Sequence, residues 1–257
     1  MKIDKEFINK SKKILLQMHY ESGVGHIGGN LSCLDAILIS FHEFLNENDK
    51  FILSKGHSAG ALYIALWSIG VLTEKDLISF HKDNTLLPGH PPVSEFSNIQ
   101  FATGSLGHGL SLASGIGFSI KLKAKNHKVI CLTSDGEWQE GSTWEALIFA
   151  CHHNLTNLTI LVDCNNLQGF GNTSEIASMS QLWNKINGFN IHIQRVDGHC
   201  LNSIRDALNQ PSNKCKIIFL ETIKGNGISF MQNQMRWHYL PLNEDQYIKA
   251  INEIDEK

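Results

Sequence analysis

The sequence predicts an α/β fold, a doubly wound and mostly parallel sheet with helices on both faces. Short runs of nearly continuous apolar character, such as Leu158 to Val162, read as strands buried on both sides. They alternate with segments whose apolar residues recur at helical spacing, which implies parallel strands joined by helical crossovers. No linker rich in Pro, Gly or Ser divides the chain and no internal repeat is present, so residues 1–257 read as one domain.

The elements follow in order. Phe7, Ile8, Ile14, Leu15 and Met18 place a helix over Lys5 to Tyr20, and the glycines between Ser22 and Gly29 read as a loop. Leu34, Ile37, Leu38 and Phe41 give a second helix from Leu31 to Leu45, followed by a short strand at Phe51 to Leu53 and a strongly apolar helix from Ser58 to Gly70. Thr73 with Asp76 three residues on forms a capping-box start for a helix toward Lys82, which a Pro-rich turn at 87–92 ends. A helix over Gly107 to Ala124, a strand at Val129 to Thr133, a helix over Ser142 to His153 and the strand at Leu158 to Val162 make a βαβ unit. After a loop from Cys164 to Glu175 the pattern repeats: a helix near Met179 to Phe189, a strand at Ile191 to Val196, a helix at Leu201 to Leu208 and a strand at Lys216 to Glu221. A final helix spans about 244–254.

Composition removes several classes of function. The chain holds 22 Lys and Arg against 25 Asp and Glu, a formal net charge of −3, so nothing in the balance favours nucleic acid or an anionic membrane. The longest uninterrupted apolar run, Ala61 to Trp67, falls far short of the roughly 18 residues of a membrane span. Charges of both signs in the first six residues, with no apolar signal core after them, lead to the expectation of a cytosolic protein. The six cysteines lie scattered with no Cys-x-x-Cys pair, which fits reduced thiols better than a disulfide frame or a zinc site.

In a doubly wound sheet, ligands bind beyond the carboxyl ends of the strands, so the residues after Thr133, Val162 and Glu221 carry the first candidates. Asp135 and Asn165 stand at two such ends and both offer oxygen, as a hard divalent cation such as Mg²⁺ requires when phosphates and water complete its shell. Gly136 would let a phosphate approach the backbone where the next helix begins. The same residues read equally as a turn and a loop. Gly23 to Gly28 fits the G-x-G-x-x-G pattern but follows a helix rather than a strand, which sets aside a Rossmann dinucleotide site. A second glycine-rich segment, Thr103 to Gly109, opens a helix and reads either as a close approach to a ligand or as tight packing. Of thirteen histidines, His26, His57, His90 and His238 lie in or beside Gly- or Pro-rich turns. Any one alone reads as structural; converging, they would supply proton-transfer groups near neutral pH.

Taken together, Ser22 to His26 (Ser-Gly-Val-Gly-His), Ser54 to His57 (Ser-Lys-Gly-His), Pro88 to Pro91 (Pro-Gly-His-Pro), Gly104 to Gly109 (Gly-Ser-Leu-Gly-His-Gly), Ser134 to Glu137 (Ser-Asp-Gly-Glu) and Asp163 to Asn166 (Asp-Cys-Asn-Asn) resemble transketolase in order and spacing. The resemblance runs from about Lys5 to Gly227, and six such motifs in order identify the diphosphate-binding half of a thiamine diphosphate enzyme. It implies Asp135, Asn165 and the Leu167 carbonyl as ligands of Mg²⁺. It also implies His57, Gly136 and Asn165 on the diphosphate side, and Gly104, Ser105 and Leu106 along the aminopyrimidine. His26, His90 and His238 match catalytic histidines that face substrate. The implied reaction moves a two-carbon ketol unit from a ketose to an aldose.

The chain departs from the family pattern in three places. Ser134 replaces the usual glycine, His108 stands where many full-length transketolases carry glutamine, and Trp237 to Leu242 (Trp-His-Tyr-Leu-Pro-Leu) differs from the usual His-Gly-Ala-Pro surroundings of His238. A full transketolase also continues into a pyrimidine-binding domain and a third domain. The resemblance therefore implies the N-terminal subunit of a split enzyme, whose partner is a separately encoded C-terminal subunit, with two of each chain in a heterotetramer and sugars or sugar phosphates as substrates. The alternatives are the alpha subunit of another thiamine diphosphate enzyme such as a 2-oxo acid dehydrogenase, which lacks the glycine-histidine motifs at 26, 57 and 90, and a non-catalytic regulatory or scaffolding subunit.

Overall fold

The computed structural model describes residues 2–93, 101–179 and 181–256. The first helix, α1 (Lys5–Ser22), starts where the Asp4 carboxylate accepts the Phe7 N–H and stops at Gly23, whose φ of 64° ends the helical geometry. Helix α2 (Ile27–Ile39) is buried along its whole length and runs on into a π-helical turn, Ser40–Phe44. The expected loop is thus three residues too long, since Ile27, Gly28 and Gly29 already belong to α2. Packing overrides their poor helix propensity: a Cβ on Gly28 would come within 3.1 Å of both Lys224 and Trp237 side chains.

Strand β1 (Lys50–Leu53), helix α3 (Ala59–Ser68) and helix α4 (Glu74–Ile78) follow. The capping box of Thr73 and Asp76 is formed, but α4 ends short of Lys82. The hydroxyls of Ser79 and Thr85 bond the carbonyls of Asp76, Ser79 and Lys82, turning the chain out of the helix. Helix α5 (Gly109–Leu122), strand β2 (Val129–Ser134), helix α6 (Gly141–His152) and strand β3 (Leu158–Cys164) form the βαβ unit. The loop after β3 carries a small antiparallel pair, β4 (Leu167–Gln168) and β5 (Gly171–Asn172), and leads into helix α7 (Thr173–Ile176). Helix α8 (Leu182–Ile186) is shorter than its apolar residues suggest, because Gln181 adopts a φ of 56° and bounds it at the start. Strand β6 (His192–Asp197), helix α9 (Leu201–Asn209), strand β7 (Lys216–Glu221) and helix α10 (Glu244–Asp255) complete the order.

The main sheet is parallel throughout, in the order β1-β2-β3-β7-β6. Its strands alternate between two cores. Leu132, Leu161, Ile218 and Leu220 pack with α1, α2 and α3 on one face, whereas Cys131, Ile160, Val162, Ile217 and Phe219 pack with α5 and α6 on the other. Burial on both faces explains why these strands read as continuous apolar runs. The register sets Ser134 opposite Asp163, so the segments that follow β2 and β3 leave the sheet side by side. The six cysteines form no disulfide. Among the described residues, no helix is long and apolar enough to cross a membrane.

Candidate functional site

The carboxyl ends of β2, β3 and β7 open into a cavity of about 380 Å³, lined by Asp135, Gly136, Asn165, Leu167, Lys224 and His238 among others. Asp135 begins the 3-10 turn Gly136–Gln139, and its carboxylate accepts N–H groups from Gly136 at 2.8 Å and from Asn166 at 2.6 Å. The Gly136 N–H expected to face a phosphate thus bonds its own neighbour. Asn165 donates its amide to Asp163 at 3.0 Å, and its carbonyl oxygen accepts the Leu167 N–H at 3.1 Å.

Burial, then the nearby Asp163 carboxylate, raise the Asp135 carboxyl to about 7. A cation beside it would restore the ionised form. Gln168 Oε1, buried without a hydrogen-bond partner among the described residues, lines the same cavity. Among the described residues no three His, Cys, Asp or Glu side chains group around a possible metal position. One carboxylate, one amide oxygen and one main-chain carbonyl nevertheless fit Mg²⁺, which takes few protein ligands when phosphate oxygens and water fill the remaining positions.

The histidines converge. The His26 ring centroid lies 5.5 Å from that of His57, 5.8 Å from His90 and 5.2 Å from His238, and His57 lies 5.5 Å from His238. His26 holds a left-handed φ of 66° at the start of α2, a conformation costly for a residue with a Cβ. Its N–H donates to the His238 carbonyl at 3.1 Å, which fixes the turn. His57 and His238 line the cavity; His26 is in ring contact with both, and His90 is in ring contact with His26. Burial first, and neighbouring positive groups second, lower His26 to about 4 and His238 to about 3. The same causes push His57 well down, and burial also lowers His90. At neutral pH these rings are uncharged, so each carries a ring nitrogen able to accept a hydrogen bond. Leu106 lines the cavity, Gly104 sits against His90, where a Cβ would come within 3.0 Å of the ring, and Ser105 is exposed outside the lining.

Sequence reasoning missed four charged groups that build this site. Lys55 and Asp163, both fully buried, form an ion pair. Asp163 also accepts from Ser32 at 2.6 Å, from Thr222 and from Asn165, so that burial, which would raise its carboxyl, is more than offset and it stays below the usual range. Glu137 accepts from the Ser54 hydroxyl and from the N–H groups of Gly107 at 2.8 Å and Ser134 at 3.2 Å, tying the glycine-rich segment to the end of β2. Lys224 reaches the Leu167 carbonyl at 3.3 Å and His238 Nδ1 at 2.9 Å, and burial lowers it to about 8. Lys224 was within reach of inference, three residues beyond Glu221 at a strand end. The ion pair was not, because 108 positions separate its members.

The family model described as transketolase, thiamine diphosphate binding domain, matches residues 3–254. Among curated proteins, the chain is 33% identical over 259 residues to an apulose-4-phosphate transketolase subunit of Actinobacillus succinogenes, covering 96% of this chain and 94% of that one. It is 32% identical over 261 residues to the 6-deoxy-6-sulfo-D-fructose transketolase subunit SqwG of a Clostridium species, covering 97% and 95%. Among solved structures it superposes on the transketolase of Campylobacter jejuni with a TM-score of 0.90 at 28% identity, covering 99% of this chain and 43% of that one. The chain thus spans the near-full length of the two single subunits and less than half of that transketolase.

Proposed function

This chain belongs to the transketolase thiamine diphosphate-binding domain family, and on that premise we propose that it is the diphosphate-binding subunit of a two-chain transketolase. With thiamine diphosphate and Mg²⁺ it moves a two-carbon ketol unit from a ketose to an aldose. The observation that carries this reading is the convergence of His26, His57, His90 and His238 beside the oxygen donors Asp135, Asn165 and Leu167 at one mouth of the sheet.

Asp135, the Asn165 carbonyl oxygen and the Leu167 carbonyl hold Mg²⁺, with Gly136, Asn165, His57 and Lys224 on the diphosphate side. Gly104, Ser105 and Leu106 face the pyrimidine side. Bound thiamine diphosphate supplies a nucleophilic carbon and an electron sink, leaving binding, orientation and proton transfer to the protein. His26, His90 and His238 hold the hydroxyls of the sugar and exchange their protons as its carbon–carbon bond breaks and forms. Neutral imidazoles suit the accepting half of that exchange.

The rest of the active site comes from a separate chain carrying the pyrimidine-binding half. Similar proteins of nearly the same length, themselves named as transketolase subunits, support this division. Two copies of each chain close the symmetry, and residues 1–257 act as one diphosphate-binding domain of a cytosolic enzyme.

An isotope experiment tests the reaction. A ketose labelled with ¹³C at its first two carbons is incubated with an unlabelled aldose and the reconstituted pair. The reading expects both labelled carbons in a new ketose two carbons longer than the aldose. No label moving between the sugars, together with ¹³CO₂ released from a 1-¹³C-labelled 2-oxo acid in a parallel incubation of the same pair, would replace it with a dehydrogenase subunit.

A further inference from the structure

We propose that Tyr239 is a specificity-determining residue, whose ring walls the approach to His26 and His238 and limits the size of the sugar chain that reaches them. The proposal rests on the ketol-transfer reading and adds a selectivity to it.

Tyr239 directly follows the 3-10 turn Met235–His238. Its ring centroid lies 4.7 Å from that of His238 and 6.5 Å from that of His26. Its hydroxyl donates to the Gly169 carbonyl at 2.7 Å, in the loop that also supplies Leu167, Gln168 and Phe170 to the cavity wall. The ring therefore spans from the cofactor side of the cavity to the histidine cluster. It is nonetheless 54% exposed, so part of the ring stays open to solvent.

Two glycines make this position possible. A Cβ on Gly25 would collide with the Tyr239 main chain, and a Cβ on Gly169 would lie 2.5 Å from the Tyr239 hydroxyl oxygen. The residue is held at its backbone by one close approach and at its tip by the other, so the ring between them acts as a fixed wall rather than a swinging side chain. A sugar whose reacting carbons lie among the histidines must carry its remaining carbons past this ring. The aromatic face packs well on the C–H surface of a short chain, and the fixed ring obstructs a longer one.

The test uses the reconstituted pair with thiamine diphosphate and Mg²⁺. It measures kcat/KM for the four-carbon ketose erythrulose and the seven-carbon ketose sedoheptulose as donors, together with thiamine diphosphate affinity by calorimetry. Tyr239→Ala should shift the ratio toward the seven-carbon donor by about ten- to a hundredfold, the range a change in pocket shape commands, through KM more than kcat. Cofactor affinity should stay within about twofold, which a general loss of structure would not allow. Gly169→Ala, which displaces the tip of the ring while keeping the tyrosine, should move the ratio the same way. It decides the matter should Tyr239→Ala fail to fold. An unchanged ratio in the folded variants overturns this proposal alone, whereas a wild-type pair inactive on every ketose overturns it together with the reading it rests on.

Discussion

The main-chain N–H of His26 donates to the carbonyl of His238 at 3.1 Å, and the two rings stand 5.2 Å apart although the residues come from opposite ends of the chain. The contact joins the turn before α2 to the segment after β7. It places both rings at one point without either belonging to the oxygen-donor set around Asp135, so the roles divide between them.

His26→Ala and His90→Ala should therefore keep cofactor affinity and lose turnover by roughly 10² to 10⁴, the range for lost general acid–base help. Calorimetry and steady-state kinetics on the assembled enzyme measure the two quantities separately. Wild-type turnover in either variant removes that histidine from the chemistry.

Asp135→Ala should abolish binding of Mg²⁺ and thiamine diphosphate together. A diphosphate cannot settle beside the Asp135 carboxylate without a cation to offset the like charges, and Asp135 is the one carboxylate in the proposed donor set. Calorimetric titration of the cofactor in Mg²⁺ buffer reads the loss. Undiminished affinity would place the cation elsewhere.

Much of the site was legible in the sequence because its residues sit where topology says ligands bind, immediately beyond β2 and β3, and because glycines mark the turns that carry His26 and His57. The two-faced burial of the strands was legible for the same reason, as unbroken apolar runs. The Lys55–Asp163 pair, the Glu137 anchor and the Lys224 contact with His238 were not. The first two depend on which strand ends become neighbours, the third on how the segment after β7 folds back on itself, and periodicity encodes neither. The start of α2 was misread because Gly28 is set by contact with Lys224 and Trp237, about two hundred positions away, and Gly29 by contact with His57 and Ser58.

Lys55→Met should destabilise the chain by about 3–5 kcal/mol, the cost of leaving a buried carboxylate without its counter-charge. Asp163 keeps its bonds from Ser32, Thr222 and Asn165, but these neutral donors do not replace the ammonium. Urea unfolding at pH 7.5 measures the change, and a loss under about 1 kcal/mol would mean that water or another cation reaches Asp163.

Stability should fall with acidification through His19. This ring is buried, its Nδ1 lies 3.3 Å from the Val24 carbonyl, its Nε2 has no hydrogen-bond partner among the described residues, and burial lowers it from 6.5 to about 4. Between those values the unfolded chain binds a proton that the folded chain refuses. Its contribution is therefore complete above pH 6.5, is lost as pH falls toward 4, and changes little below that. The slope from this one group is at most about 1.4 kcal/mol per pH unit and its total about 3 kcal/mol. Unfolding free energies from pH 7 to 4.5 should be flatter in His19→Gln by up to that slope. Parallel curves would mean that His19 takes up its proton equally in the folded and the unfolded chain.

The central claim is that this chain holds one half of a divided active site: the histidines and the oxygen donors are here, and the groups that grip the pyrimidine are on another chain. Ketol transfer between a ketose and an aldose, assayed with Mg²⁺ and thiamine diphosphate for this chain alone and again in the presence of its pyrimidine-binding partner, tests it most directly. The account predicts no turnover by the isolated chain and full turnover by the pair. Full turnover by the isolated chain, or none by the pair on any ketose, would contradict it.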